Sequence, residues 1–449
     1  MEKKDLIVVG SGPGGMIAAE RAAAGGLKVT LVEESALGGV CLNEGCIPSK
    51  TLLHSAKIYS LALHGEAFGV HAENVTFDLL AVQRRKQKIL ETLRGGIAGL
   101  MKKHKVEVVS GRARLAGRGA VTVNGQRLEA EHILLATGSI PARPPLEGLD
   151  LPGVLDSTGI LLLEQLPARL VIIGGGIIGC EFACFFASLG VPVTVIEMLP
   201  EICPTLDGEV AALLRMELTR KGIEFHTNSR VLAIEEDAVV FESGQEKKRA
   251  PWDRVLVATG RSVRVGDLGL EEARVEFDRK GIRVDERGAT NVPGIWACGD
   301  VTGRGWLAHA ASRMGEVVVK NLLGQRDRMR FDAVPSVVYT SPEVAAVGWT
   351  EAEAKKQGME TLTAKFPLTA NGRFLAEHQG SRGFAKVVVE KGSRRLVGVH
   401  VIGGACSEMI WGAAVAVEAE LRVQDLMDIV FPHPTASESI RDALFYLPK

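Results

Sequence analysis

Two stretches of the chain repeat one order of apolar and polar residues. "DLIVVGSGPGGMIAAERAAAGGLKVTLVE" (5–33) and "RLVIIGGGIIGCEFACFFASLGVPVTVIE" (169–197) each run from an apolar strand through a glycine-rich turn into a helix, then into a second strand with glutamate as its last residue. In both, the first glycine of the turn precedes that glutamate by 23 residues (33 − 10 and 197 − 174). The pattern predicts two βαβ units of an α/β fold.

The glycines of both turns follow Gly-x-Gly-x-x-Gly, which predicts a dinucleotide site when it joins a strand to a helix. The first glycine allows a tight turn, the second lets a pyrophosphate reach the helix N-terminus, and the third lets helix and strand pack closely. A purely structural turn is the alternative for either copy. The glycines are Gly10, Gly12 and Gly15 in one copy and Gly174, Gly176 and Gly179 in the other.

Two copies imply two dinucleotides, and the glutamate of each copy can accept hydrogen bonds from ribose hydroxyls. Glu197 favours NAD over NADP in the second copy, because its carboxylate would repel a 2′-phosphate. The following residues, "EMLPEIC" (197–203), offer no arginine or lysine to hold such a phosphate.

Three further apolar strands are followed by glycine turns. They are "ILLATGS" (133–139), "VLVATGR" (255–261) and "TNVPGIWACGD" (290–300). Asp300 could bind a polyol hydroxyl, although the stretch taken alone is also explained by a strand and a turn.

The C-terminal third has a different pattern. "GFAKVVVEKGSRRLVGVHVIGG" (383–404) predicts two antiparallel strands, and "SEMIWGAAVAVEAELRVQDLMDIV" (407–430) predicts one long apolar helix. Thr435 and Glu438, near the end of the chain, predict a capping box for a last helix.

Size and charge narrow the class of protein. A chain of 449 residues predicts several domains, and a net charge of −1 gives no basis for binding nucleic acid or an anionic membrane. The longest apolar region, 170–196, is interrupted by Glu181 and by glycines, so a buried strand and helix explain it better than a membrane span. The N-terminus faintly resembles a signal peptide, but the first βαβ unit explains it better, and we expect a cytoplasmic protein.

Taken together, these motifs resemble the pyridine nucleotide-disulfide oxidoreductases, a family of flavoproteins. The resemblance includes a Cys-x4-Cys pair, Cys41 and Cys46 in "GGVCLNEGCIPSK" (38–50), and extends from Asp5 to about Glu438. It implies two Rossmann-like dinucleotide-binding domains, one for FAD and one for NAD, and a C-terminal α+β dimerisation domain. The implied bounds are 1–146 and 262–330 for the FAD domain, 147–261 for the NAD domain and 331–449 for the interface domain.

The family pattern also implies which residues of this chain contact the cofactors. For FAD they are Gly10, Gly12, Gly14, Gly15, Glu33, Gly39, Lys50, Thr137, Gly138, Asp300, Ala308 and His309, and for NAD they are Gly174, Gly176, Gly179, Glu197 and Gly260.

The resemblance identifies Cys41 and Cys46 as a redox-active disulfide, with Cys41 exchanging with the substrate and Cys46 against the flavin. A structural staple is one alternative, but so short a loop contributes only about 2 kcal/mol. Zinc is another, but no further cysteine or histidine follows nearby. Since residues five apart lie about 140° apart around a helix, we expect Cys41 in a distorted turn, a helix starting near Pro48, and Glu44 pointing outward. The other cysteines are expected to be buried: Cys180, Cys184, Cys203, Cys298 and Cys406.

The family's His-Pro-x-x-x-Glu pattern matches at His433 and Glu438. It implies that His433 is the base for the exchanging thiol, that Glu438 orients it, and that the histidine serves the disulfide of the partner subunit in a homodimer. The family also implies that Lys50 pairs with Glu181 beside the flavin, an exposed helix lysine being the alternative.

Within the family, "GWLAHAA" (305–311) and "VVYTSPEVAAVGWTEAEAK" (337–355) resemble members that oxidise dihydrolipoyl groups to lipoyl disulfide while reducing NAD. The lipoyl group would arrive on a protein of a 2-oxoacid dehydrogenase or glycine cleavage complex. "GACSEMI" (404–410) and "ANGRF" (370–374) depart from the usual pattern, which affects the choice of substrate or partner complex more than the reaction. The alternatives are an NADH-dependent reductase of another small disulfide and a non-catalytic NADH/FAD-sensing subunit.

Overall fold

The computed structural model describes residues 3–378 and 380–448. These residues form two compact units, each made of discontinuous segments. The first unit contains the chain up to Thr51, Ala81–Ala142 and Arg261–Phe331. The second contains Leu52–Leu80, Arg143–Gly260 and the chain from Asp332 onward.

Helices and strands occur throughout the chain. The helices are α1 (Pro13–Ala24), α2 (Gly39–Glu44), α3 (Cys46–Leu63), α4 (Leu79–Lys103), α5 (Ile177–Ala187), α6 (Gly208–Arg220), α7 (Ala308–Leu322), α8 (Glu351–Lys356), α9 (Gly372–Glu377), α10 (Cys406–Glu418), α11 (Val423–Asp428) and α12 (Glu438–Phe445). The strands are β1 (Lys4–Val9), β2 (Val29–Glu33), β3 (Glu107–Ser110), β4 (Ala113–Leu115), β5 (Ala120–Val123), β6 (Gln126–Leu135), β7 (Ser139–Pro141), β8 (Val154–Leu155), β9 (Leu170–Ile173), β10 (Val193–Ile196), β11 (Ile223–His226), β12 (Ser229–Ile234), β13 (Ala238–Ser243), β14 (Glu246–Pro251), β15 (Arg254–Val257), β16 (Arg261–Val263), β17 (Phe277–Asp278), β18 (Gly281–Ile282), β19 (Ile295–Ala297), β20 (Ser336–Val338), β21 (Glu343–Gly348), β22 (Thr361–Pro367), β23 (Phe384–Glu390) and β24 (Leu396–Gly403).

A seven-stranded sheet forms the centre of the first unit. Its strands follow the order β3-β2-β1-β6-β5-β4, and β19 also pairs with β6. Strand β1 runs parallel to both β2 and β6, with Val8 opposite Leu31 and Leu134. These three side chains are fully buried, as expected for parallel strands that are covered on both faces. The first predicted βαβ unit, β1-α1-β2, is confirmed.

The second unit contains the other predicted βαβ unit and the C-terminal sheet. Strands β11-β10-β9-β15-β8 form a parallel sheet, so the unit β9-α5-β10 is also confirmed. Strands β20-β21-β24-β23-β22 form an antiparallel sheet that packs with α10 and α12 around buried residues such as Phe374, Val399 and Ile410. The α/β class with a C-terminal α+β domain is therefore confirmed.

The prediction of one long helix over 407–430 is wrong, because the chain forms α10 and α11 instead. Glu420, between them, has a φ of +54°, a left-handed conformation that ends a helix. The amide of Val423 then donates to Arg394 O, while Leu421 O accepts from the amide of Leu396. The apolar pattern continues through this break, since both helices bury apolar side chains in the same core.

Within the described ranges, every helix is too short or too polar to span a bilayer.

Candidate active site

The first glycine-rich turn leaves open space at the start of α1. Gly10 has a φ of +99°, and a Cβ on Gly15 would lie 1.9 Å from Gly10 O, so neither position accepts a side chain without a shift. A Cβ on Gly12 would meet no atom within 4 Å. Gly12 is the N-cap of α1 and the helix has no side-chain cap, so its first amides are available to an anion.

Glu33 closes this turn through hydrogen bonds from Ser11 and Ser35. Its Oε2 accepts from the amide and the hydroxyl of Ser11 at 2.8 and 2.7 Å, and its Oε1 accepts from the amide of Ser35 at 2.9 Å. The carboxylate is thus held at the end of β2 beside the turn, where a ribose hydroxyl can reach it.

The second turn has the same backbone geometry and the same pattern of backbone hydrogen bonds to its glutamate. Gly174 has a φ of +108°, a Cβ on Gly179 would lie 2.1 Å from Gly174 O, and a Cβ on Gly176 would meet nothing within 4 Å. Glu197 accepts from the amide of Gly175 at 2.6 Å and from that of Leu199 at 2.7 Å. Both turns therefore have the shape, the free amides and the ribose acceptor that a dinucleotide requires.

Other predicted FAD residues lie in the first unit. Asp300 accepts from the hydroxyl of Ser139 at 2.6 Å, and Arg261 Nε donates to the same hydroxyl at 2.7 Å. Ala308 is the first residue of α7, a helix whose N-cap makes no side-chain hydrogen bond. Thr137 donates to a backbone oxygen, Gly138 has a positive φ, and His309 is exposed. Gly260, which was predicted for NAD, is in the second unit and also has a positive φ.

Two predicted glycines make close contacts inside this unit. A Cβ on Gly14 would lie 2.9 Å from Ala311 O, so this glycine lets α1 pack against α7. A Cβ on Gly39 would lie 2.6 Å from the Cα of Gly12, so the start of α2 rests on the glycine-rich turn.

Cys41 and Cys46 lie on two consecutive helices in the first unit. Cys41 is in the short helix α2, Cys46 is the first residue of α3, and Gly45 separates them with a φ of −144° and a ψ of −110°, which are not helical. The prediction of a distorted turn around Cys41 is wrong, because Cys41 lies inside α2 and the break is concentrated in Gly45. The predicted helix start near Pro48 is confirmed, since α3 begins two residues earlier, at Cys46. Cys46 does lie at a helix N-terminus, and Glu44 is exposed, as expected.

Both cysteines are thiols in this structure, and the Cys41 side chain is hydrogen-bonded to that of Cys46. This hydrogen bond, together with burial, raises the pKa of the Cys41 thiol, although the backbone amide of Cys46 and the charge of Lys50 act in the opposite direction. Formation of the Cys41 thiolate therefore needs a base.

Asn43 fixes helix α2 from within. Its Nδ2 donates to Ala36 O, Leu37 O and Gly39 O, and its Oδ1 accepts from Arg94 Nε at 2.6 Å. Helix α2, which carries Cys41, is thereby held to the segment before it and to α4.

His433 and Glu438 form a pair in the second unit. His433 Nδ1 lies 2.9 Å from Glu438 Oε1, and the histidine side chain is 80% exposed. Glu438 Oε2 accepts from the amide of Thr435 at 2.9 Å. The hydrogen bonds from Thr435 and from His433 hold the pKa of Glu438 below its usual value, so the carboxylate is ionised at neutral pH. Because a carboxylate only accepts, Nδ1 carries a proton and Nε2 is left as the proton acceptor.

The predicted capping box is only half present. Glu438 accepts from the amide of Thr435, but the Thr435 hydroxyl donates to Pro432 O, and the N-cap of α12 is Ser437. The two oxygens of Glu438 thus divide between a local turn and the histidine.

Lys50 and Glu181 lie in different units, and their pairing stays a prediction. Glu181 is buried in α5 and accepts from the amide of Tyr339 at 3.0 Å.

The five cysteines other than Cys41 and Cys46 are all buried, as expected.

Several supporting residues were missed at the sequence level. Ser11 and Ser139 hold Glu33 and Asp300, and Asn43 holds helix α2, which carries Cys41. Ser11 and Asn43 lie inside motifs that the sequence analysis identified, so their positions in those motifs could have indicated a supporting role. The contact of Ser139 with Asp300 joins residues 161 apart, and nothing in the sequence indicates it.

The chain matches the family "Pyridine nucleotide-disulphide oxidoreductase" over residues 4–315 and that family's dimerisation domain over residues 334–444. Proteins of this family use FAD and a pyridine nucleotide, so FAD and NAD are the cofactors of this chain.

Curated relatives and solved structures match nearly the whole chain. The dihydrolipoyl dehydrogenase of Thermus scotoductus is 42% identical, with 100% of this chain and 98% of the relative covered. That of Chlamydia pneumoniae is 41% identical, with 97% and 95% covered. Among solved structures, the HOCl-induced flavoprotein disulfide reductase RclA from Escherichia coli is 30% identical with a TM-score of 0.86, covering 98% of this chain and 99% of that one.

Proposed function

Since the chain belongs to the pyridine nucleotide-disulphide oxidoreductase family, we propose that it oxidises dihydrolipoyl groups to lipoyl disulfide and reduces NAD. The observation that carries this proposal is the presence in one chain of the Cys41–Cys46 pair and the His433–Glu438 pair. Curated dihydrolipoyl dehydrogenases with about 40% identity over almost their full length support the substrate.

FAD would be held by the turn from Gly10 to Gly15, with Glu33 and Asp300 as acceptors, and NAD by the turn from Gly174 to Gly179, with Glu197. Bound FAD supplies a two-electron carrier between the cysteines and NAD, which receives the electrons as hydride.

The thiol chemistry is assigned to this chain's own residues. A substrate thiol loses its proton to His433 Nε2 and attacks the Cys41 sulfur of the oxidised pair, which breaks the Cys41–Cys46 bond. The second substrate thiol then attacks the mixed disulfide, forms the lipoyl disulfide and releases Cys41, and its proton and the one held by His433 pass to the two cysteine sulfurs. Glu438 stabilises the imidazolium through the hydrogen bond to Nδ1. Two thiols are oxidised, and the pair is left as a dithiol.

We further propose a homodimer in which His433 of the partner subunit is the base for the thiol exchange at Cys41. The dimerisation domain supports this arrangement, and so do its large apolar side chains at the surface. Trp411 and Val415 are 74% and 45% exposed on one face of α10, and Val430 is 91% exposed. The proposed partner is a lipoyl-bearing protein of a 2-oxoacid dehydrogenase or glycine cleavage complex, in the cytoplasm, where a cycling dithiol is not trapped as a stable disulfide.

A direct assay tests the substrate. NADH formation from NAD is measured with dihydrolipoamide and, as the contrast, with glutathione. We expect rapid turnover with dihydrolipoamide alone. Similarity to a flavoprotein disulfide reductase makes NADH-dependent reduction of another small disulfide the second candidate. That function would be favoured if dihydrolipoamide gave no turnover while NADH still reduced the bound flavin.

Glu197→Gln is expected to weaken the preference for NAD over NADP by about tenfold or more. The amide keeps an acceptor oxygen for the turn but removes the negative charge that opposes a 2′-phosphate. The measurement is kcat/KM for both nucleotides, with Glu224→Gln on the neighbouring strand β11 as the control. An unchanged ratio would remove Glu197 as the source of the preference.

A further inference from the structure

A second pair of thiols lies in contact beside the NAD turn. Cys180 is the fourth residue of α5, and Cys203 lies in the segment between β10 and α6. Their sulfur atoms are 3.7 Å apart, and Cys203 donates to Cys180. Both residues are almost fully buried, with exposed fractions of 1% or less.

Both cysteines anchor the carbonyl of Gly175, inside the glycine-rich turn. The Cys180 thiol donates to Gly175 O at 3.3 Å, and the amide of Cys203 donates to the same oxygen at 2.9 Å. In a trans peptide the C=O and the following N–H point in opposite directions. Holding Gly175 O toward the cysteines therefore directs the N–H of Gly176 away from them. This is the amide of the residue whose missing Cβ leaves open space for the nucleotide.

The internal repeat shows that this pair is particular to the second copy. Positions of the two copies differ by 164 (174 − 10 and 197 − 33), so Cys180 corresponds to Met16 and Cys203 to Gly39. Gly39 has a φ of +60°, and Cys203 has a φ of +46°. Both values lie in the left-handed region, which residues other than glycine rarely adopt. The second copy thus has a thiol where the first has the glycine that this conformation favours.

We propose that Cys180 and Cys203 form a second oxidisable pair, which hydrogen peroxide converts to a disulfide that weakens NAD binding at this turn. Two S–H bonds and the O–O bond break, one S–S bond forms, and the two protons and two electrons of the thiols reduce the peroxide to two molecules of water. The inference rests on the proposed NAD site at Gly174–Gly179.

Oxidation changes the turn in two ways. The Cys180 thiol loses the proton that it donates to Gly175 O. The two sulfur atoms must also approach from 3.7 Å to about 2.05 Å, which displaces the backbone of Cys203 that donates to the same oxygen. Both changes release the Gly175–Gly176 peptide from the orientation that presents the Gly176 amide.

Burial determines which oxidants can act. The hydrogen bond from Cys203 and burial raise the pKa of the Cys180 thiol, so the reactive thiolate is scarce. The reaction is therefore slow, becomes faster as pH rises, and is restricted to a small uncharged oxidant. A bulky disulfide cannot reach the pair, which separates it from Cys41 and Cys46.

The test uses the full-length holoenzyme, treated with hydrogen peroxide and then alkylated. Mass spectrometry maps the disulfides, and calorimetry measures the Kd for NAD before and after treatment and after reduction with dithiothreitol. Neither readout uses a dithiol substrate, so a wrong assignment of the substrate leaves the test intact. Cys203→Gly, which installs the residue of the first copy, removes one sulfur. Cys184→Ala removes another buried thiol of α5 and is the matched control.

We expect a Cys180–Cys203 cross-linked peptide in the wild type and in Cys184→Ala, with a Kd for NAD raised about fivefold, as for the loss of one hydrogen bond, and restored by dithiothreitol. Cys203→Gly should show neither the peptide nor a peroxide-dependent change in Kd. If Cys203→Gly does not fold, Cys180→Ala replaces it. The proposal is overturned if peroxide yields no such peptide, or if the peptide forms and the Kd for NAD is unchanged.

Discussion

Cys41→Ser is expected to lower the rate of dihydrolipoamide oxidation by at least about a thousandfold, while NADH still reduces artificial electron acceptors. Serine occupies nearly the same space in α2, but its oxygen cannot form the disulfide that a substrate thiol attacks. The route from NADH to the flavin does not require Cys41. The measurement compares kcat for dihydrolipoamide with NAD against kcat for NADH with ferricyanide, on the same preparation.

Two comparisons make this result specific to Cys41. Cys184→Ala also removes a thiol, but one buried in α5 of the second unit, and should keep both activities within about twofold of the wild type. Cys46→Ser should lose dithiol oxidation as Cys41→Ser does, because the disulfide needs both sulfurs. Dithiol oxidation by Cys41→Ser above about 1% of the wild-type rate would contradict the assignment of Cys41 as the exchanging thiol.

The dinucleotide folds could be predicted because their signals are local. Each turn uses glycine where a Cβ would collide with the backbone, as at Gly15 and Gly179, and each unit has an acidic residue at the end of its second strand. Such constraints act within about 25 residues of chain, and the internal repeat doubled the evidence.

The remaining details depend on contacts between distant parts of the chain. The break at Glu420 exists because Leu421 and Val423 pair with the strand region near Leu396, which no apolar pattern over 407–430 reveals. The contact of Cys180 with Cys203 depends on where the segment after β10 returns to α5. In the sequence, these two cysteines were indistinguishable from the other buried ones.

Glu438→Gln is expected to lower kcat for dihydrolipoamide oxidation by about a hundredfold or more, with little loss of stability. In the wild type the ionised carboxylate accepts from His433 Nδ1–H, which leaves Nε2 unprotonated as the base. The glutamine oxygen can still accept from the amide of Thr435, but its NH2 group then faces Nδ1 as a donor. The imidazole must turn to the tautomer protonated at Nε2, in which the base is blocked, and losses of up to about ten-thousandfold are known for this kind of change.

The pH profile and a neighbouring variant separate this role from a structural one. Because the charge that stabilises the imidazolium is gone, raising the pH should not restore the rate of Glu438→Gln, whereas faster turnover at high pH would mean that only the proton affinity of His433 had changed. Thr435→Val removes the hydroxyl that donates to Pro432 O but keeps the amide that binds Glu438, so it should keep most of the wild-type kcat. Equal losses in the two variants would instead assign Glu438 to the local turn before α12. The pKa of Glu438 lies below its usual value in the folded protein. Acid should therefore weaken the hydrogen bond between His433 and Glu438 only as the pH falls through that lowered value, which is well below the range in which the enzyme is assayed.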